Sequence, residues 1–168
     1  AQNCNIHLPF VEGTELQYAS YNKKNEKDAT MTCRVIDVGN RNGEQTADVE
    51  SVYLTDDKKD PKKISLNYEI RCKDGKFSIS YKSLLQPQLI EQYETMQLDF
   101  DGIDIVFPEK LAVDDTLSNA SLTVKVSSNN VNIISIKSNL TGRKVEAKES
   151  VTTPAGTFEC FKIVEEAE

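Results

Sequence analysis

Residues 64–82 read "ISLNYEIRCKDGKFSISYK", and the way this run alternates decides the fold. Ile64, Leu66, Tyr68, Ile70 and Cys72 fall on one side of an extended chain, with Ser65, Asn67, Glu69 and Arg71 on the other. A period of two is that of a β-strand with one buried face. After Lys73-Asp74-Gly75-Lys76 the pattern repeats, setting Phe77, Ile79 and Tyr81 against Ser78, Ser80 and Lys82. Asp-Gly accepts the positive φ angles that a tight hairpin demands, so the two runs predict an antiparallel hairpin.

The same alternation extends outward in both directions. Residues 16–22 and 29–38 flank the polar turn "KKNEKD", and Asn42-Gly43 leads into 46–55. Downstream, "LTVKV" at 122–126 is separated from 131–138 by Asn129-Asn130, and 143–151 runs through Pro154-Ala155-Gly156 into 157–164. Met96, Leu98 and Phe100 share one parity, whereas Ile103, Ile105 and Phe107 share the other. A one-residue slip would turn a buried set outward, so Gly102 is expected to mark a bulge or a corner. One segment departs from this period. In "SLLQPQLIEQYETM" the apolar Leu85, Leu89, Tyr93 and Met96 are spaced by four, four and three, and Pro87 suits a first helical turn. A short amphipathic helix is expected at 86–95, lying against an otherwise all-β, antiparallel fold.

At 168 residues, with 38% hydrophobic and 28% charged residues, the composition is that of one globular, β-rich domain spanning 1–168. No linker or internal repeat divides it. The net charge of −7 opposes nucleic acid and anionic lipid surfaces alike. Lys58, Lys59, Lys62 and Lys63 are interleaved with Asp56, Asp57 and Asp60 and read as a solvated loop. No apolar run approaches the ~20 residues of a transmembrane helix. The opening Ala-Gln-Asn-Cys reads as a mature N-terminus whose signal peptide has been removed. Four cysteines, Cys4, Cys33, Cys72 and Cys160, are compatible with two disulfides and an oxidising compartment, and none forms a Cys-x-x-Cys pair.

Chemical constellations are sparse, and no catalytic, cofactor or metal site is expected. His7 is the only histidine, near a terminus where groups are seldom held rigidly enough for catalysis. "DFDGID" has the carboxylates of a calcium loop at Asp99, Asp101 and Asp104, but its glycine stands fourth and Lys110 occupies the closing position. Solvent-facing acids on a strand are the simpler reading. Acids abound, yet the sugar-stacking tryptophan of many glycosidase clefts is absent. Asn119 and Asn139 head glycosylation sequons, which are short enough to occur by chance. At the corner, Pro154 presets φ and Gly156 can take a positive one, as in a type II turn. Without a base beside them, Thr153 and Thr157 cannot serve as nucleophiles, so the stretch reads as a hairpin corner.

Gly142-Arg143-Lys144-Val145-Glu146 followed by "ESVTTPAGTFECFKI" (149–163) resembles the signature of TapB-like exported bacterial β-proteins. The similarity continues in "PFVEGTELQYASYNKK" (9–24), "RCKDGKFSISYKSLL" (71–85) and "IVFPEKLAVDDTLSNA" (105–120). It implies a removed signal peptide, a periplasmic or secreted location in the envelope of a Gram-negative bacterium, and a curved antiparallel sheet of half-barrel or open-barrel type. Gly142 and Asp115 depart from the Asn and Gly usual in the family, Cys33 is extra, and the chain stops within a strand, which implies missing final strands and an exposed edge. Four cysteines permit three connectivities; the resemblance favours Cys72–Cys160, with Cys4–Cys33 as the second pair. It lends no catalytic residues. The expected role is non-enzymatic: binding a lipid, another apolar ligand or an envelope protein partner in the curved sheet. The alternative is a structural or assembly protein that works through its sheet edge.

Overall fold

The computed structural model describes residues 10–56 and 60–168. Its ten strands form two antiparallel sheets. Sheet A holds β1 (Glu15–Tyr21), β2 (Lys27–Arg41), β3 (Glu44–Thr55), β4 (Lys63–Lys73), β5 (Lys76–Ile79) and β7 (Ile105–Pro108), hydrogen-bonded in that order and curled into a half-barrel. Sheet B holds β6 (Gln97–Ile103), β8 (Ala120–Ser128), β9 (Val131–Thr153) and β10 (Gly156–Ala167), in the order β10-β9-β8-β6.

The deciding hairpin forms, but its second strand is shorter than the alternation predicts: it ends at Ile79, and Tyr81 and Lys82 enter a 3₁₀ turn. β4 and β5 pair through Cys72↔Phe77 and Ile70↔Ile79, and Asp74 and Gly75 take φ of 49° and 69°. Asn42-Gly43 makes an equivalent turn between β2 and β3, at φ 53° and 77°. Ile70, Cys72 and Phe77 enter a core with Phe10, Val35 and Val49, where Phe10 and Phe77 meet edge to face at 6.1 Å. On the opposite face, Ser65 and Asn67 are exposed, whereas Glu69, Arg71 and Ser78 are partly covered.

The parity change near Gly102 has a different cause from the one expected. β6 pairs with β8 without any register shift from Gln97↔Ser127 to Ile103↔Ser121, so Gly102 is not a bulge. The corner falls at Asp104, where the chain leaves sheet B and enters sheet A as β7. Leu98 and Phe100 pack toward the core of sheet B, Ile103 is 59% exposed, and Ile105 and Phe107, both partly buried, lie in the other sheet, where Phe107 packs against the core. Asp104 pins this corner: its Oδ1 accepts from the Tyr81 amide at 2.9 Å and its Oδ2 pairs with the Arg71 guanidinium. It is therefore not the solvent-facing acid expected, although Asp99 and Asp101 are exposed. Gly102 is required for close approach instead, since a Cβ there would lie 2.2 Å from the Ser121 carbonyl oxygen.

Two further expectations change. The helix, α1, covers Pro87–Gln92, shorter than 86–95, and follows a 3₁₀ turn at Tyr81–Leu84. Gln86 supplies no side-chain cap, and Tyr93 already departs from helical geometry at φ −117° and ψ 23°. The fully buried anchor is Leu85, just before the helix, with Leu89 and Tyr93 packed partly buried against Leu122, Val124 and Val126. In sheet B, the runs 131–138 and 143–151 belong to one 23-residue strand, β9. Gly142, at φ +60°, absorbs a bend between the half paired with β8 and the half paired with β10.

At the corner between β9 and β10, Thr153 pairs with Gly156 around the two residues Pro154 and Ala155. Neither central residue has positive φ; Gly156 does, at 140°, after the turn. This is not the type II geometry expected, which places the positive φ at the second central residue. The Thr153 hydroxyl receives the Ala155 amide at 3.2 Å and donates to the Gly156 carbonyl at 3.3 Å, so the side chain closes the turn locally.

Candidate functional site

The concave side of sheet A and the far end of sheet B line a half-open cavity of about 600 Å³. One wall is apolar: Ile70 of β4, Phe77 and Ile79 of β5, and Phe107 of β7. Period-two alternation puts these side chains on the inner face, and the curl of the sheet turns that face into a hollow. The opposite wall comes from Phe161 and Ile163 of β10. Leu16 and Tyr18 of β1 stand near the edge of sheet A, and Lys148 of β9 and Glu159 of β10 bring opposite charges to the same hollow. Lys148 sits with its Nζ 5.8 Å from the centre of the Phe161 ring.

A small polar chain crosses the inner face of sheet A. The Tyr68 hydroxyl donates to Cys33 Sγ at 3.8 Å, and that thiol donates to Ser51 Oγ at 3.7 Å. Cys33 and Ser51 are direct cross-strand partners, and Tyr68 reaches them from β4. Burial raises the Tyr68 phenol well above its ordinary pKa of 10.0, and the nearby Cys33 adds to the shift through charge and hydrogen bonding. The Tyr18 phenol is raised for the same leading reason, with Cys33 second. Both tyrosines stay neutral near pH 7, so this part of the cavity offers hydroxyl groups and no charge.

Cys33 and Cys160 both carry free thiols and both line the cavity. Neither expected bridge, Cys72–Cys160 or Cys4–Cys33, therefore forms: β10 stands across a hollow from β2 and is not packed against β4. Cys72 is 4% exposed in the core of sheet A and is not among the free thiols. Cys4 and His7 lie outside the described residues, as do Asp57, Lys58 and Lys59 of the charged loop. Pro154 and Gly156 are exposed at a hairpin end, where they shape the chain and are not among the residues that line this cavity. Among the described residues no cluster of three or more His, Cys, Asp or Glu is placed to hold a metal, and no helix is long and apolar enough to cross a membrane.

Lys148, Glu159, Tyr18 and Phe161 did not stand out in the sequence. The available signal was parity alone: Phe161 is the cross-strand partner of Lys148, and Glu159 lies two residues from it on the same strand. Which face of that hairpin looks inward depends on where sheet A lies.

The chain belongs to the DUF3108-like family, whose model matches residues 11–168. That match does not single out the TapB-like group to which the corner motif is similar. Two crystal structures share the fold. One is a protein designated a lipoprotein from Parabacteroides distasonis ATCC 8503, 22% identical at a TM-score of 0.74, with 96% of this chain and 76% of that one covered. The other, from Bacteroides fragilis NCTC 9343, is designated an exported protein with a YmcC-like fold; it is 20% identical at a TM-score of 0.71, covering 94% and 75%. No curated protein matches the chain.

Proposed function

We propose that this DUF3108-like chain is a single-domain, exported cell-envelope protein that binds an apolar ligand, without catalysing a reaction, in the hollow between its two sheets. The observation that carries this reading is the cavity of about 600 Å³ with an inner wall of Ile70, Phe77, Ile79 and Phe107. That volume lies within the ~300–1,000 Å³ of small-molecule sites, and the lining has the mixture of apolar walls and few polar groups such sites share. Keeping this hollow open leaves apolar surface partly wet, a cost that a bound hydrocarbon chain would offset. An exported, envelope location follows the designations of the two similar structures as lipoprotein and exported protein.

Native mass spectrometry of protein purified from its own host tests the reading. A co-purifying lipid of defined mass, lost on substitution of the partly buried cavity residue Ile163 by Asp, is the expected result; protein that is uniformly ligand-free and binds no added lipid overturns it.

A second reading rests on a different feature. β1 and β10 end their sheets, each with one hydrogen-bonded neighbour among the described strands. An assembly role would use one of these edges to accept a strand from a partner.

A further inference from the structure

We infer that the ligand of this cavity is a single-chain amphiphile with a zwitterionic head of the phosphocholine or phosphoethanolamine kind. The inference rests on the cavity reading above and adds to it the chemistry of the head. Its basis is the pair of opposite charges that meets the apolar hollow at Lys148 and Glu159. On the paired strands β9 and β10, Lys148 lies opposite Phe161 and Glu159 lies opposite Ser150, which makes the two charges diagonal neighbours on one face. Such neighbours stand roughly 7–8 Å apart along the backbone. Neither forms an ion pair, with the other or with any described residue. Other lysines of these two strands do: Lys144 with Asp114, and Lys162 with Glu146.

A cation and an anion held side by side but unjoined complement a head with two separated charges and no net charge. A fatty-acid carboxylate would satisfy Lys148 and be repelled by Glu159, and an alkyl ammonium would meet the reverse. A phosphate at Lys148 places the ammonium of the same head toward Glu159. Aromatic faces suit that ammonium too, because a ring quadrupole attracts quaternary cations. Lys148 Nζ already covers the Phe161 ring at 5.8 Å, so Tyr18, 49% exposed and lining the same cavity, offers the free ring face. The acyl chain would then run over Ile79, Phe107 and Ile163, which line the hollow, are only partly buried and carry no charge to oppose it.

Calorimetric titration with three probes of equal chain length, each below its micelle concentration, tests the assignment: dodecylphosphocholine, laurate and dodecyl maltoside. Dodecylphosphocholine is expected to bind tightest. Lys148→Gln and Glu159→Gln should each weaken it by roughly two- to fivefold, the worth of an exposed ion pair, and leave the thermal melt of the ligand-free protein unmoved. An unchanged melt shows that each variant is folded. Laurate as the tightest probe, strengthened by Glu159→Gln, would overturn the zwitterionic head in favour of an anionic one. Equal binding of all three probes overturns the head assignment and leaves the cavity reading standing. No binding by any probe overturns both.

Discussion

Arg143 on β9, 1% exposed, donates through Nε to Oε2 of Glu165 on β10 at 3.1 Å. Its Nη1 donates to the Ser118 carbonyl at 2.7 Å, and its guanidinium lies 5.1 Å from the centre of the Phe107 ring on β7. One cation thus ties both strands of the long hairpin to the 109–119 connection and to sheet A. Arg143→Ala should cost about 3 kcal/mol or more, since it empties a filled, buried site and removes the hydrogen bonds and ring contact made from it. Glu165, 37% exposed, matters less because water screens it, and Glu165→Gln should cost about 1 kcal/mol or below. Urea unfolding of the two variants measures the difference; equal losses would mean that the ion pair, and not the buried guanidinium, carries the contact.

Gly102 tolerates no side chain. An added Cβ would lie 2.2 Å from the Ser121 carbonyl oxygen and 2.8 Å from Cγ of Tyr81. The clash with backbone cannot be relieved by a rotamer change, so Gly102→Ala should cost about 1–3 kcal/mol, the range for overpacking. A thermal melt within a degree of the parent would show that β6 and β8 can separate at no cost.

Leu85 and Leu89 should differ although both belong to the apolar stripe that predicts the helix. Leu85 is 5% exposed and Leu89 only partly buried in the same cluster. Leu85→Ala should cost about 2–5 kcal/mol, and Leu89→Ala clearly less. Urea midpoints in the opposite order would place the helix, and not the residue before it, as the cover of sheet B.

Tyr68 gives the fold an alkaline limit. Burial first, and Cys33 second, raise its folded pKa above the ordinary 10.0. The folded state therefore holds this proton more tightly than the unfolded one. The resulting stability is fully present below pH 10 and is lost as pH rises from there through the folded value. Phenolate absorbance should show Tyr68 ionising after the exposed members of the six tyrosines, together with unfolding. Tyr68→Phe should remove that late component; a titration unchanged by the substitution would contradict the assignment.

The thiols of Cys33 and Cys160 should alkylate in denaturant without reductant, because both are free. Cys72 should label only after reduction. A non-reduced peptide linking Cys72 to Cys160, or Cys33 to any other cysteine, would reverse the assignment.

Period-two alternation in 64–79 was enough to determine the strands, their buried faces and the Asp74-Gly75 turn, because strand geometry and turn chemistry act over neighbouring residues; that Tyr81 leaves the strand was not legible there. The same local logic located the corner at Pro154 and the apolar stripe around Leu85 and Leu89, but not the turn geometry or the helix length, which depend on what caps and covers them. Tertiary structure decided the rest. The parity change around Gly102 became a switch of sheets at Asp104, held by Arg71 from β4, a partner 33 positions away. The cysteines were unreadable for the same reason: Cys33 and Cys160 line one hollow from opposite walls, and no local pattern records the gap between them. Lys148 and Glu159 became candidate binding groups only when sheet A curled to face β10, since a cavity is a relation between surfaces that no single strand encodes.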